Sequence, residues 1–351
     1  MKLLKKSRRL FETLLVTFAK SAIPLIPRSG IIRLSQFLGL CTYTFSARSR
    51  NIAAANLNLA FGDSLSESKK REISCASFQN VSLVILDLFW FSKDSAARLE
   101  KYLKFDKSAQ PLIDEAPTII VTAHFGNWEV VSLGCGAKGL PMTSIAMPLK
   151  NSVVDQQLNQ LRELTGSRIA SRKGAIRTII RALRDGQRTA LVMDQNTLPS
   201  DGGFFVPFFG QAAPVSKAAG ALHTRTHAKI MTTWCTPDQK GYYTVFAAPP
   251  FPADNEDLSS EQIAERITRE LEAVIRKHPH FWLWSYRRWR FFRKEDNAAQ
   301  YPFYAESYED YAEYCVLAEQ YHASQHSEAA RQALDNSARA QKRNAQPKRH
   351  W

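Results

Sequence analysis

Hydrophobic and polar positions change period several times along the chain, and each change marks an element. Residues 118–123 (TIIVTA) are β-branched at five of six positions and lack the alternation of a half-exposed strand, the pattern of a strand covered on both faces. Short apolar runs return at 142–147, 189–193 (TALVM), 229–235 and 242–247, and helical spacing fills 127–135, 152–164, 174–185 and 214–226. This alternation predicts an α/β core. Ahead of it, residues 48–105 read as helical: Ile52, Asn56, Leu59 and Ala60 recur at helical spacing, and Ser66 stands as a cap before a long amphipathic run. Behind it, a helix over 259–277 is stopped by Pro279, and a mostly aromatic segment, HPHFWLWSYRRWRFFR, follows. Near the N-terminus, apolar stretches at 10–19 and 31–45 are interrupted by Glu12 and Arg33. Both fall short of the roughly 20 apolar residues that cross a bilayer, so an interfacial helical anchor is expected, with a single tilted span as the alternative.

Four regions follow from these patterns: a membrane-associating helical segment (1–47), an α/β domain (48–297), a tyrosine-bearing helical extension (298–335) and a basic tail (336–351). In the extension Tyr304, Tyr308, Tyr311 and Cys315 would share one helical face, while the tail has five basic residues, no acid and little to bury, which predicts disorder. Charge narrows the partners. The chain carries 47 basic and 33 acidic residues, net +14, which calls for an anionic partner. Residues 1–50 hold ten Lys/Arg and one acid, interleaved with Leu, Phe, Ile and Pro, a mixture that favours a lipid surface over a nucleic-acid arm. The five cysteines are odd in number and form no CxxC, as in a reduced, cytosol-facing chain. No small-residue cleavage site follows the first apolar run, which argues against a signal peptide.

The candidate chemistry collects at the carboxyl end of the first core strand, where α/β sheets place their ligands. His124 stands there, Asn127 can cap the next helix, and Glu129 would lie in that helix's first turn. From there Glu129 can reach back to one imidazole nitrogen, fix the tautomer and make the other nitrogen a general base for a hydroxyl; unrelated surface groups are the plainer reading. Gly126, lacking a side chain, would let a substrate approach the backbone. Asp194 and Gln195 end the TALVM strand at the same rim, with helix capping as the ordinary alternative for Asp194. GGFFVPFFG, with three glycines and four phenylalanines, reads as an apolar wall for a hydrocarbon chain built on Phe205 and Phe208, as a membrane-dipping edge, or as core packing. His223 and His227 are four apart, yet HTRTH lacks the glutamate of a metalloprotease helix, so an ordinary helix face is expected and no metal.

The HFGNWE stretch, the later D-Q and GGFFVPFFG, the W-x-x-RRW segment, and R-x-x-A-x-x-NL-x-LAF from Arg50 to Phe61 together resemble the late acyltransferases of bacterial lipid A biosynthesis, in the wider glycerolipid acyltransferase superfamily. The resemblance runs from about residue 10 to 293. It implies an α/β fold with a mixed central sheet flanked by helices. It implies transfer of a fatty acyl chain from an acyl carrier protein thioester to a hydroxyl of an anionic glycolipid such as a lipid A precursor, at the cytoplasmic face of the inner membrane, peripherally or through one N-terminal anchor. No cofactor and no nucleic acid are implied. Coenzyme A as donor, another lipid hydroxyl as acceptor, and a non-enzymatic membrane-binding protein remain alternatives. In the implied mechanism His124 takes the hydroxyl proton, Glu129 orients it, and amides of Gly126, Asn127 and Trp128 serve the oxyanion. The family's essential arginine before a glycine falls on Arg172, preceding Gly174, with Arg168 nearby. Asp194 would hold that arginine or contact the sugar. Arg287 and Arg288 would bind phosphate, although Tyr286 stands where the family has histidine.

Overall fold

The computed structural model describes residues 2–170, 174–253, 256–313 and 316. Four helices come first: α1 (Lys2–Ala22), α2 (Arg28–Phe45), α3 (Ala47–Phe61) and α4 (Glu67–Trp90). A 3-10 turn with Pro24 at its start separates α1 from α2, since proline has no amide to continue a helix. The Ser66 hydroxyl caps α4 by accepting from the Lys69 amide at 3.2 Å. α4 is the one described helix long and apolar enough to cross a membrane by length and composition, but 67% of that window is buried inside the fold, the position of a core helix. α1 instead turns Leu10, Phe11, Leu14 and Phe18 outward, each more than half exposed.

The chain then runs through α5 (Ser95–Tyr102), β1 (Leu103–Phe105), α6 (Gln110–Asp114), β2 (Thr118–Thr122), α7 (Trp128–Ala137), β3 (Met142–Ile145), α8 (Ser152–Arg162), β4 (Arg168–Ala170), α9 (Ala175–Arg184), β5 (Arg188–Val192), β6 (Gly203–Phe208), β7 (Gln211–Ser216), α10 (Ala218–Thr226), β8 (Lys229–Pro237), β9 (Tyr243–Ala247) and α11 (Ser260–Lys277). Seven strands form one sheet in the order β1-β9-β8-β2-β5-β3-β4. Only β8 and β9 pair antiparallel within it, which makes the sheet mixed, as expected. β2 sits at its centre with all five residues buried, which is why its sequence shows no alternation. Its side chains serve two cores. Ile119 and Val121 pack with Ile179 of α9, Leu222 of α10 and Ile267 of α11. Ile120 faces the other layer, with Val130, Val131 and Leu133 of α7.

Three expectations are corrected. The helix read over 214–226 begins only at Ala218, because Gln211–Ser216 pairs antiparallel with Gly203–Phe208 as a β-hairpin; an alanine-rich stretch gave no β signal, and its partner strand decides its state. The phenylalanine-rich stretch is therefore a hairpin strand. Phe208 is 2% exposed and stacks on Trp289 with ring centres 5.6 Å apart, so core packing accounts for it. The tyrosines do not share one helix either. β10 (Phe291–Phe292) pairs with β11 (Glu306–Ser307), and Tyr304 precedes the helical turn that starts at 308. Tyrosines of this segment nonetheless cover the domain: Tyr301 donates to the Ala212 carbonyl at 3.1 Å, Tyr304 bonds Asn56, and Tyr308 packs edge-on against Phe205. Cys41, Cys75, Cys135 and Cys235 are free thiols. Cys315 and the tail 336–351 lie outside the described residues.

Candidate active site

β2 and β5 run parallel with Thr122 opposite Val192. Two residues beyond those strand ends stand His124 and Asp194, and this register sets them side by side on the carboxyl rim of the sheet. Asp194 is 5% exposed and receives three contacts. The His124 backbone N–H donates to Oδ2 at 3.0 Å, His124 Nδ1 lies 2.8 Å from Oδ1, and Trp282 Nε1–H donates to Oδ2 at 2.8 Å. Since a carboxylate only accepts, Nδ1 carries the proton in this contact. Nε2 takes no hydrogen bond among the described residues, and the imidazole side chain is 22% exposed, enough to meet a substrate.

Electrostatics follow from the pairing. Burial alone would push the Asp194 carboxyl up; the neighbouring imidazole and the hydrogen bonds from His124 and Trp282 overcome this and hold it below the usual carboxylate range. Burial alone would depress His124; the Asp194 charge and hydrogen bond, with a smaller push from Glu129, raise it above the ordinary histidine value.

The carboxylate bonded to His124 is thus that of Asp194, where the H-x-x-x-x-E spacing pointed to Glu129. Asn127 does cap α7, its Oδ1 accepting from the Val130 amide at 3.1 Å, and this puts Glu129 in the first turn. From there Glu129 turns toward α8. Arg162, the last residue of α8, donates Nε at 3.0 and 3.1 Å and Nη2 at 2.8 Å to its two oxygens, a forked charge-assisted pair. Burial would lower the Arg162 guanidinium, but the Glu129 contacts raise it. Arg162 was missed from sequence because nothing local distinguishes the end of α8 from any basic helix end.

His124, Glu129 and Arg162 line a cleft of about 440 Å³ between the sheet and the layer of α7 and α8. Its floor comes from alternate residues of neighbouring strands, among them Ile120, Ala190 and Met142, and Leu158 of α8 closes it from above. The Trp128 ring stands edge-on to His124, 4.9 Å between centres. The Trp128 and Glu129 amides, in the first turn of α7, take no hydrogen bond within the described residues.

Trp128 and Gln195 line this cleft, and the other expected substrate contacts do not. Gly126 (φ 57°) makes room for protein, not ligand: a Cβ there would lie 1.7 Å from the Cys235 carbonyl oxygen. Its amide and that of Asn127 are spent on Phe281 and Cys235 carbonyls, which removes them as oxyanion donors. Asn127 is fully buried. Arg168 lies across the sheet beside Arg177 and Arg181 of α9, because it alternates with the cleft-lining Ile169. Arg288 is 1% exposed and donates to Asn196 Oδ1 at 2.7 Å and the Pro214 carbonyl at 2.9 Å, so it braces the hairpin and is closed to phosphate. Arg287 sits over the Tyr304 ring, and Phe205 faces Tyr308. Arg172 lies outside the described residues. His223 donates from Nδ1 to the Ala228 carbonyl at 2.9 Å, an ordinary helix-end contact.

Comparison with known proteins gives the family. The model of the bacterial lipid A biosynthesis acyltransferases matches residues 2–291. "Lipid A biosynthesis acyltransferase 2" of Shigella flexneri is 24% identical over 185 residues, covering 52% of this chain and 58% of that protein's length. "Lipid A biosynthesis acyltransferase" of Haemophilus influenzae is 21% identical over 257 residues, covering 72% and 79%. Among solved structures, the 1-acyl-sn-glycerophosphate acyltransferase PlsC of Thermotoga maritima aligns at a TM-score of 0.36 with 14% identity, covering 78% of this chain and 98% of that one.

Proposed function

The chain belongs to the bacterial lipid A biosynthesis acyltransferase family, and from that premise we propose that it moves a fatty acyl chain from an acyl carrier protein thioester to a hydroxyl of a lipid A precursor or related glycolipid. The observation that carries this reading is the His124–Asp194 pair, with its carboxylate buried and its imidazole at a cleft that has an apolar floor. Nε2 takes the proton of the acceptor hydroxyl while Nδ1–H stays on Asp194, which stabilises the imidazolium. The hydroxyl oxygen attacks the thioester carbonyl, and the oxyanion faces the free Trp128 amide at the start of α7. Collapse breaks the C–S bond, and Nε2 returns the proton to the leaving sulfur. No acyl-enzyme is needed: the cysteines Cys135 and Cys235 are buried, and burial pushes both thiols up. Glu129 and Arg162 act as a fixed pair in the wall, the carboxylate adding to the field at His124. The test is purified protein with a glycolipid acceptor, offered the same acyl chain on carrier protein or on coenzyme A; a product formed with the carrier protein thioester supports the reading, and no product with either refutes it.

The cleft floor supports its use by a hydrocarbon chain. Ala190 contributes a small side chain there, so Ala190→Leu should shorten the preferred acyl chain by a few carbons and leave turnover of short chains within about threefold, since a methylene in an apolar pocket is worth roughly tenfold in selectivity. Competition among acyl donors of graded length, read by mass spectrometry, checks this; unchanged preference would place the chain elsewhere.

The outward Leu10, Phe11, Leu14 and Phe18 of α1 support attachment at a membrane surface. Leu14→Glu with Phe18→Glu should move much of the protein from the vesicle pellet to the supernatant. Full retention would assign membrane binding to another surface.

A further inference from the structure

One buried polar network lies outside the reacting groups and ends in the segment that carries them. Asp87 of α4 is fully buried, and its carboxylate accepts from the Arg28 guanidinium, the Tyr243 hydroxyl and, at 3.3 Å, Asn127 Nδ2. Arg28 is the first residue of α2, at the elbow that follows α1. It is 6% exposed, lies over the Trp90 ring and donates to the Gly241 carbonyl at 2.8 Å. At the other end Asn127 Nδ2 also donates to the Tyr243 hydroxyl at 3.0 Å, and Oδ1 holds the Val130 amide. Every polar atom of the Asn127 side chain is therefore engaged.

A buried ion pair contributes little stability that well-packed apolar residues would not match. What it supplies here is direction. Asn127 stands three residues after His124 and two before Glu129, so the orientation of its side chain sets the first turn of α7, whose Trp128 and Glu129 line the cleft.

We infer that Arg28 and Asp87 are positioning residues for the reaction: through Tyr243 and Asn127 they hold the first turn of α7 in register with His124, and they tie that turn to the elbow between the N-terminal helices. The inference rests on the acyl-transfer reading for its kinetic consequence, and on geometry alone for its structural one.

Two double variants separate positioning from packing. Arg28→Met with Asp87→Leu removes both charges together and leaves no uncompensated ion, but it strips Asn127 of the carboxylate. Arg28→Gln with Asp87→Asn also removes both charges and keeps side-chain acceptors and donors in place. With both folded, the first should lose roughly tenfold in kcat with KM for the acyl donor unchanged, the effect of one hydrogen bond made loose. It should also show faster amide exchange in the peptide spanning 124–133. The second should keep kcat within about threefold and native exchange, because the hydrogen bonds survive. Native kcat and exchange in the first variant, or equal losses in both, would overturn the inference. If either double variant fails to fold, Tyr243→Phe decides: lost kcat and faster exchange support positioning, and native values of both refute it. Should the unaltered protein transfer no acyl chain, the acyl-transfer reading falls, while the exchange comparison still decides the inference.

Discussion

His124→Ala should lower acyl transfer by at least about a hundredfold while the protein stays folded, because positioned general-base catalysis commonly contributes about 10²–10⁴. The expectation follows from the Nε2 of a partly exposed imidazole, without a hydrogen bond among the described residues, whose other nitrogen is already held by Asp194. Folding should survive, since the side chain meets the cleft and the backbone N–H to Asp194 remains. Steady-state turnover of the purified variant, with circular dichroism to confirm the fold, checks this; near-native turnover would remove the proposed base.

Asp194→Asn should be comparably severe, on the order of a thousandfold in kcat, by loss of both the correct tautomer and the charge that supports the imidazolium. Its pH dependence separates it from a packing defect. His124 has its proton held more tightly than an ordinary histidine, and the base is the unprotonated form. The rate of the unaltered protein should therefore climb with pH through a value above about 6.5, the usual histidine pKa. Without the Asp194 charge the acid limb should move to lower pH. The same pair gives stability opposite signs. The raised His124 contributes stability that is full below its unfolded pKa and fades as pH rises through the folded one. The depressed Asp194 contributes stability above its unfolded pKa and loses it as pH falls through the folded one. A pH–rate profile for both proteins checks the shift; an unmoved acid limb in Asp194→Asn would show that Asp194 does not set the base.

The strands at 118 and 189 were legible because a largely buried strand reads as a mostly apolar run without alternation, and their ends placed His124 and Asp194 on one rim. Their contact was not legible, since it depends on the Thr122–Val192 register and on β5 neighbouring β2, both tertiary facts. Spacing made Glu129 look like the partner of His124, but the Asn127 cap turns the helix so that Glu129 meets Arg162, 33 residues on. Arg287 and Arg288 of the aromatic segment suited phosphate by the family resemblance and by their planar forks. Burial among Trp282, Trp284 and Trp289 was decided by how that segment folds under the sheet, and Arg288 went in with them. The hairpin was hidden for a related reason: Gln211–Ser216 has no strand signal of its own and becomes one only beside Gly203–Phe208.

The most direct test of the central claim is mass spectrometry of membrane glycolipids from cells lacking this protein, restored with the unaltered chain or with Asp194→Asn. The account predicts that loss removes one fatty acyl mass from a glycolipid, that the unaltered chain restores it, and that Asp194→Asn, at equal abundance, does not. Identical glycolipids in all these cells, or full restoration by Asp194→Asn, would contradict it.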